Sequence, residues 1–432
     1  KELPTPASYV LAYSGGLDSH GLLHALVSIR EQLGIPIQAI HINHGLQAEA
    51  QQWQAHCQKV CTALGVALQC HHLQLSPTPG ESIEAQARTA RYAALAAALP
   101  GKAMLLTAQH QDDQAETVLL QLLRGAGVAG LAAMPVCKPW QQGWHARPLL
   151  ATSRDDVYHY AQQHGLQWIE DPSNQQTRFD RNYLRHQVLP LLRERWPAFA
   201  RTVARSSQHI GEMLPLLQAQ AESDRLFCSN AQGRLEVAPL CQLSSERCRL
   251  VIRQWIRQAG HQVPNQARLQ TLETQLCQVQ KDRLPTLRWG QSVIYVYQNQ
   301  LWLAYQYKDL PPDSPVVWSD TVVLQLPDGG QLQRQAARQG IPDRYWQEGT
   351  LTVRWRSAGV KGQLAGRQGT RSFKKLCQEL AIPPWQRAYI PLLYRNEQLL
   401  AVADYCVCEK IEPKPGDTFS RLHWQRPDQP ST

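Results

Sequence analysis

A short apolar run, Tyr9-Val10-Leu11-Ala12-Tyr13, passes directly into Ser14-Gly15-Gly16-Leu17-Asp18-Ser19. A run so short and so apolar reads as a buried strand, and the chain from near Asp18 onward has helical spacing of its apolar residues. The two glycines let the backbone turn sharply and expose its N–H groups, while the helix points its positive dipole end into the same space. Phosphate is the natural occupant of such a turn. The loop is not a Walker A sequence, because no Gly-Lys-Ser/Thr triplet follows and no lysine lies near enough to reach a β or γ phosphate. A glycine turn in which Ser14 or Asp18 only caps the helix is the plain structural alternative.

The next hundred residues repeat the strand-helix alternation. A second strand covers 37–43 and ends in His44-Gly45-Leu46, helix is expected at 49–64, a third strand at 66–73, an alanine-rich helix at 81–99 and a fourth strand at 104–108. This pattern predicts an α/β fold, a doubly wound parallel sheet with ligands at the carboxyl ends of its strands. Ser14, His41, Asn43, Gln109 and His110 fall at or just past strand ends, so they should share one crevice.

Past the fourth strand comes Gln109-His110-Gln111-Asp112-Asp113-Gln114-Ala115-Glu116-Thr117. With a helix starting near Gln111, Asp112, Asp113 and Glu116 occupy its first turns, where negative charge suits the dipole. One carboxylate is enough for a cap. Three at i, i+1 and i+4 repel one another unless a cation, Mg²⁺ or a bound ammonium, sits among them. Upstream, Glu84, Arg88 and Arg91 share one helical face, as a surface ion-pair row would.

A chain of 432 residues is too long for one core and suggests two to three domains. A net charge of +9 favours a polyanionic partner. Eleven cysteines in a chain without an apolar leader argue for a reducing, cytoplasmic setting, and no apolar run is long enough to span a membrane. Between Arg178 and Arg205 seven arginines (Arg178, Arg181, Arg185, Arg193, Arg195, Arg201, Arg205) are interleaved with Phe179, Tyr183, Trp196 and Phe199, the mixture that single-stranded RNA loops require. Trp168-Ile169-Glu170-Asp171-Pro172-Ser173-Asn174 reads as a strand entering a turn. A mainly helical middle domain is expected over 209–308, closed by a hairpin, and an α+β carboxyl-terminal domain over 309–432, with the first domain at 1–208. The last domain has a basic stretch from Arg354 to Arg387 containing Arg367, Lys374 and Lys375, suited to backbone phosphates.

The loop resembles that of the PP-loop ATP pyrophosphatases. Together SGGLDS, HINHGL, SIEAQARTARY, QHQDDQAET with LLRGAG, and WIEDPSN with RNYLRHQVLP occur in the order found in tRNA(Ile)-lysidine synthetases, and the run from Phe373 to Arg387 resembles their carboxyl-terminal domain. The resemblance implies an ATP-dependent ligase acting on the wobble cytidine of a tRNA(Ile) with a CAU anticodon. The cytosine oxygen is adenylylated on the ATP α phosphate, and the ε-amine of L-lysine then attacks C2 and expels AMP. It implies ATP contacts at Ser14, Gly15, Gly16, Leu17, Asp18, Ser19 and His41, Mg²⁺ near Asp18, lysine held by Asp113 and Glu116, and Arg88 beside the adenylylated intermediate. Asp112 is a weaker candidate. The tRNA would be held by Arg178, Arg181, Arg185, Arg205, Arg367, Lys374 and Lys375, and a homodimer is compatible with the sequence. Two departures stand out: the first of the two histidines usual before the acidic cluster is Gln109, and His20 follows the loop. A tRNA thiolase would need a cysteine pair that is absent here, and a non-catalytic RNA-binding protein would have no use for the acidic cluster.

Overall fold

In the computed structural model of the chain, residues 4–43, 49–73, 83–277, 285–306, 314–319, 321–347, 351–355, 361–362, 371–408 and 414–426 are described. The glycine loop joins β1 (Tyr9–Ala12) to α1 (Leu17–Ser28). There follow α2 (Arg30–Leu33), β2 (Ile37–Asn43), α3 (Ala50–Ala63), β3 (Ala67–His72) and α4 (Ile83–Ala98). After these come β4 (Met104–Leu106), α5 (Gln111–Leu123), α6 (Val128–Leu131), β5 (Cys137–Trp140) and β6 (Gly143–Ala146).

These strands form one sheet in the order β3-β2-β1-β4-β6-β5, parallel except for β5, which runs antiparallel to β6. Successive residues of the central strands face opposite sides. Leu11, Met104 and Leu106 pack with Leu22, Leu23 and Leu26 of α1, whereas Val10 and Leu105 pack with Leu95 of α4. That alternation is what a sheet covered on both faces requires. The chain order reverses between β1 and β4, so the loops leaving these two strands bound the crevice where such sheets take ligands. The β5-β6 pair was not expected from the sequence. Each strand has only four residues, and Pro139 is tolerated because β5 lies at the sheet edge.

The helix α7 (Arg154–Gln163) packs Val157 and Ala161 against Leu17 of α1. The strand expected at Trp168 is not formed. Ile169 N–H donates a single bond to Gly15 O at 2.9 Å, and the chain then enters a 3-10 turn, Pro172–Gln175, capped by Asp171 Oδ1 at 2.8 Å from Ser173 N. One bond to a loop cannot build a ladder. Next come α8 (Asp180–Tyr183), a π turn at Leu184–Val188, α9 (Leu189–Arg195) and α10 (Phe199–Cys228).

Two compact units divide the chain, Lys1–Ala219 and Gln220–Thr432. The second contains two cores. In one, α11 (Val237–Leu240), α12 (Ser245–Gln258) and α13 (Gln266–Cys277) bury Ile252, Ile256 and Leu269 against the meander β7 (Thr286–Trp289), β8 (Ser292–Tyr297) and β9 (Gln300–Tyr305). The other begins with β10 (Val316–Trp318), β11 (Val323–Gln325), β12 (Gln331–Ala337), β13 (Ile341–Pro342) and α14 (Arg344–Gln347). It continues with β14 (Leu351–Arg354), β15 (Lys361–Gly362), β16 (Arg371–Ser372), α15 (Phe373–Glu379), β17 (Leu392–Arg395), β18 (Gln398–Val402), β19 (Cys406–Val407) and β20 (Phe419–Gln425). A five-stranded sheet, β10-β14-β17-β18-β19, packs with a four-stranded one, β11-β12-β20-β13. The apolar run at 316–326, which reads as one β segment, is split between these sheets, with Trp318 Nε1–H donating to Thr321 O at 3.0 Å in the turn. Among the described residues no helix is long and apolar enough to cross a membrane.

Candidate active site

The loop is held by its own serines. Ser14 N–H donates to Ser19 Oγ at 3.3 Å, the two hydroxyls lie 3.0 Å apart, and Ser19 Oγ–H donates to Gly16 O at 3.1 Å. Gly15 has φ +83°, and a Cβ there would lie 2.6 Å from Ile169 Cδ1 and 2.8 Å from Cys57 Sγ. Glycine is therefore required both by dihedral and by space. Gly16 occupies the N-cap of α1 with no side-chain cap, which leaves the first turn's amides for a ligand. His41 is buried beneath the loop, its Nδ1 donating to Tyr13 O at 3.0 Å and lying 3.5 Å from Cys57 Sγ; burial lowers its pKa and keeps it neutral.

Across the crevice His110 caps α5. Asp113 N–H donates to His110 Nδ1 at 3.3 Å, and His110 N–H donates to Asp113 Oδ2 at 3.1 Å. His110 Nε2 lies 3.7 Å from Asp18 Oδ2 and 3.4 Å from Asp113 Oδ2, so His110 joins the glycine loop to the acidic helix. Asp18 has its pKa raised, chiefly by burial and against the pull of His110, and its Oδ1 is buried without a hydrogen-bond partner among the described residues. An orphaned carboxylate oxygen beside a phosphate loop fits Mg²⁺, which is usually held by one or two carboxylates together with substrate phosphates.

The acidic trio does not wait for an added cation. Arg193 pairs with Asp112. Arg181 Nε–H donates to Glu116 Oε2 at 2.7 Å, and Arg185 donates to Glu116 Oε1 at 2.6 Å and to Asp113 Oδ1 at 2.9 Å. Burial by itself raises the Asp113 carboxyl, but His110, Arg181 and Arg185 outweigh it and hold the group below the usual carboxylate range. Arg181 and Arg185, read from sequence as RNA contacts, are thus turned inward onto carboxylates. The reason is the fold: α8 and the π turn pass along α5 and bring the two arginines over its first turns. Arg178 and Arg205 are exposed, Arg178 lying 4.7 Å over the Phe179 ring, and Lys374 and Lys375 are exposed on α15. Arg88 is exposed, 5.3 Å over the Tyr92 ring, and is not brought onto the Asp18–His110–Asp113 line by any described contact. Arg367, the Glu84 side chain and His44-Gly45-Leu46 lie outside the described residues.

Sequence reasoning missed His110 as the connecting group, Arg193 as the partner of Asp112, and a buried row formed by Thr107, His145 and Arg147 behind the crevice. The helix-start pattern could have given the first, since a residue before an acidic first turn is a cap candidate. The other two depend on contacts between distant segments and leave no local signal.

The PP-loop domain family matches residues 2–192, the TilS substrate binding domain matches 235–302 and the TilS substrate C-terminal domain matches 351–424. The chain is 41% identical to the tRNA(Ile)-lysidine synthase of Coxiella burnetii (strain RSA 493 / Nine Mile phase I), over 95% of this chain and 92% of that protein. It is 40% identical to the tRNA(Ile)-lysidine synthase of Methylococcus capsulatus (strain ATCC 33009 / NCIMB 11132 / Bath), over 92% and 91% of the two chains. With the tRNA(Ile)-lysidine synthase of Escherichia coli O157:H7 the identity is 40%, over 99% and 98%.

Proposed function

The chain belongs to the tRNA(Ile)-lysidine synthase family of ATP-using carbon–nitrogen ligases, and on that premise we propose how its residues divide the work of attaching L-lysine to C2 of the wobble cytidine. Cytosine C2 is a poor electrophile until its oxygen carries a leaving group. The loop amides at Gly15, Gly16 and Leu17, with Ser14 and Ser19, receive the ATP phosphates and stabilise the charge that develops at the α phosphate. Asp18, with its orphaned oxygen, would hold Mg²⁺, which supplies charge shielding for the departing pyrophosphate.

Asp113 and Glu116 receive the lysine ammonium, and an ionised carboxylate of the pair takes the proton that the ε-nitrogen must lose before it attacks the activated C2 and expels AMP. The observation that carries this reading is the placement of His110 Nε2, 3.7 Å from Asp18 and 3.4 Å from Asp113, which puts the nucleotide-binding loop and the acidic helix start into one site. Because Arg181 and Arg185 already neutralise the acids, the ammonium must displace one of these contacts. Asp113, ringed by cations and held ionised, is the better anchor, and Glu116, 1% exposed in its side chain, fixes the arginines. Arg88 is assigned to the adenylylated intermediate, and His41 supports the loop from below.

For the RNA, the exposed Arg178, Arg205, Lys374 and Lys375, together with Arg367, are proposed to contact tRNA(Ile) phosphates. The functional division is proposed as 1–208 for catalysis, 209–308 for substrate binding and 309–432 for tRNA binding, supported by the two separate cores within Gln220–Thr432. A cytoplasmic location and a homodimer complete the proposal. A thiolase or a non-catalytic RNA-binding protein is not favoured by the relatives. The decisive experiment incubates the protein with ATP, Mg²⁺, tRNA(Ile) and radiolabelled lysine. Label should appear on RNA with release of AMP and pyrophosphate, and Asp113→Ala should leave adenylylated tRNA detectable while lysine transfer falls. Unlabelled RNA from the wild-type protein overturns the reading.

A further inference from the structure

Behind the crevice, the residues just past β4 and β6 carry a line of polar side chains that starts at Arg147, itself 5% exposed. A guanidinium only donates. Arg147 Nη1–H donates to Pro135 O at 2.9 Å and Nη2–H to His145 Nδ1 at 3.3 Å. His145 therefore accepts at Nδ1 and carries its proton on Nε2. Burial, reinforced by the charge of Arg147, lowers its pKa to about 3, so the ring is neutral. Its Nε2–H donates to Thr107 Oγ1 at 2.8 Å, which leaves the hydroxyl's own hydrogen for Gln109 Oε1, the atom it contacts. Each bond fixes the direction of the next. An amide whose oxygen is held by a hydroxyl donor must present its NH₂ elsewhere, and Gln109 Nε2 has no hydrogen-bond partner among the described residues. Gln109 is half-buried and precedes His110, at the carboxyl end of β4 beside the switch point of the sheet.

We propose that the Gln109 carboxamide donates an N–H to an anionic oxygen of a bound substrate, with Thr107, His145 and Arg147 as its positioning residues. The oxygen belongs to a phosphate of ATP or to the carboxylate of lysine, the two anions the reaction brings to this end of the sheet, so this inference rests on the function proposed above. An amide in this place donates at every pH, whereas an imidazole would donate or accept according to its protonation. Arg147 sets this polarity from the far end of the line, without touching the ligand.

The test is steady-state lysidine formation, with KM measured separately for ATP and for lysine, in Gln109→Leu, Gln109→Asn, Gln109→His, Thr107→Val and Thr107→Ser. Gln109→Leu should raise one of the two KM values roughly tenfold or more, the loss expected for a hydrogen bond to a charged group. The substrate affected identifies the anion. Thr107→Val should raise the same KM by a smaller factor, and Thr107→Ser should restore it, which a general structural defect would not do. Gln109→Asn keeps the amide but falls short, and should repeat the defect without placing an apolar group in the site. Gln109→His should add an ionisation to the pH profile of kcat/KM between pH 6 and 7 that the wild type lacks. If both KM values stay within twofold in Gln109→Leu, or Thr107→Val affects the other substrate, the inference is overturned. A wild-type protein that transfers no lysine overturns the proposed function itself; an active wild type with an unaffected Gln109→Leu removes only Gln109.

Discussion

Arg185 grips Glu116 side-on, Nε to Oε1 at 2.6 Å and Nη2 to Oε2 at 2.9 Å, while the Glu116 side chain is 1% exposed. The paired N–H groups of a guanidinium match the two carboxylate oxygens, so the contact fixes orientation as well as charge. Its cost is desolvation, and a buried pair of this kind contributes little over a well-packed apolar replacement. Its effect is local order: the π turn that carries Arg185 is fastened to the first turns of α5, where Asp113 faces the crevice.

Removing one partner should therefore be far worse than removing both. Arg185→Ala leaves a buried carboxylate with Arg181 as its remaining close partner, and should cost about 2 to 3 kcal/mol of unfolding free energy. The double variant Arg185→Ala with Glu116→Gln should be more stable than Arg185→Ala alone. Urea denaturation of wild type, Arg185→Ala, Glu116→Gln and the double variant gives the coupling. Equal midpoints for wild type and Arg185→Ala would show that the pair supports nothing.

Gly15→Ala and Gly34→Ala separate dihedral strain from lost space. Both residues have positive φ, +83° and +59°, but only at Gly15 would a Cβ meet neighbours, Ile169 and Cys57, whereas at Gly34 nothing lies within 4 Å. Gly34→Ala should cost about 1 kcal/mol and leave ATP binding unchanged. Gly15→Ala should cost more and weaken ATP binding, because Ile169, whose N–H is bonded to Gly15 O, must move with the loop. Calorimetric titration with a non-hydrolysable ATP analogue distinguishes the two. Equal ATP affinity in both variants would mean that the loop accommodates a methyl group.

The parts of this fold legible in the sequence are those that short-range periodicity controls. The strand-loop-helix at Tyr9–Ser28, the alternation through β4 and the acidic start of α5 each announce themselves within about ten residues. What was not legible depends on distant pairing. Arg185 and Glu116 are 69 residues apart, and a run of arginines shows charge without showing which face of the chain turns inward. The segment at Trp168 has the residues of a strand, but among the described residues its one backbone bond outside its own turn is that of Ile169 N–H to Gly15 O. Likewise β12, with Gln331, Gln333 and Gln335, has little strand propensity of its own and forms because β20 supplies a full ladder from Phe419 to Gln425.

His145 should make stability depend on pH in a defined window. Its folded pKa, lowered to about 3 by burial and Arg147, lies below the 6.5 of an unfolded histidine. The unfolded chain therefore binds the extra proton first as pH falls, so this contribution is complete above pH 6.5 and is lost progressively on the way down to about pH 3. His145→Gln can donate to Thr107 but does not titrate. Its melting temperature should lie below that of the wild type at pH 7.5, and the gap should narrow at pH 5. A gap that stays constant or widens contradicts the buried neutral ring.

Lys374 and Lys375 test the proposed RNA surface. They sit in the first turn of α15, exposed, while Phe373, Leu376 and Cys377 on the same helix are buried, so replacing both lysines alters charge without opening the core. Contacts between lysines and phosphates act by releasing counterions, and the slope of log K against log salt counts the phosphates neutralised. The double variant Lys374→Ala with Lys375→Ala should bind tRNA(Ile) more weakly at low salt, and its salt slope should be smaller by roughly one for each lost contact. Because the phosphate term is independent of sequence, binding of an unrelated tRNA should weaken by the same factor. The lysine KM should not change, since neither residue lies in the unit that carries Asp113. Filter binding at four salt concentrations measures the slope, and a slope equal to that of the wild type would remove both lysines from the RNA interface.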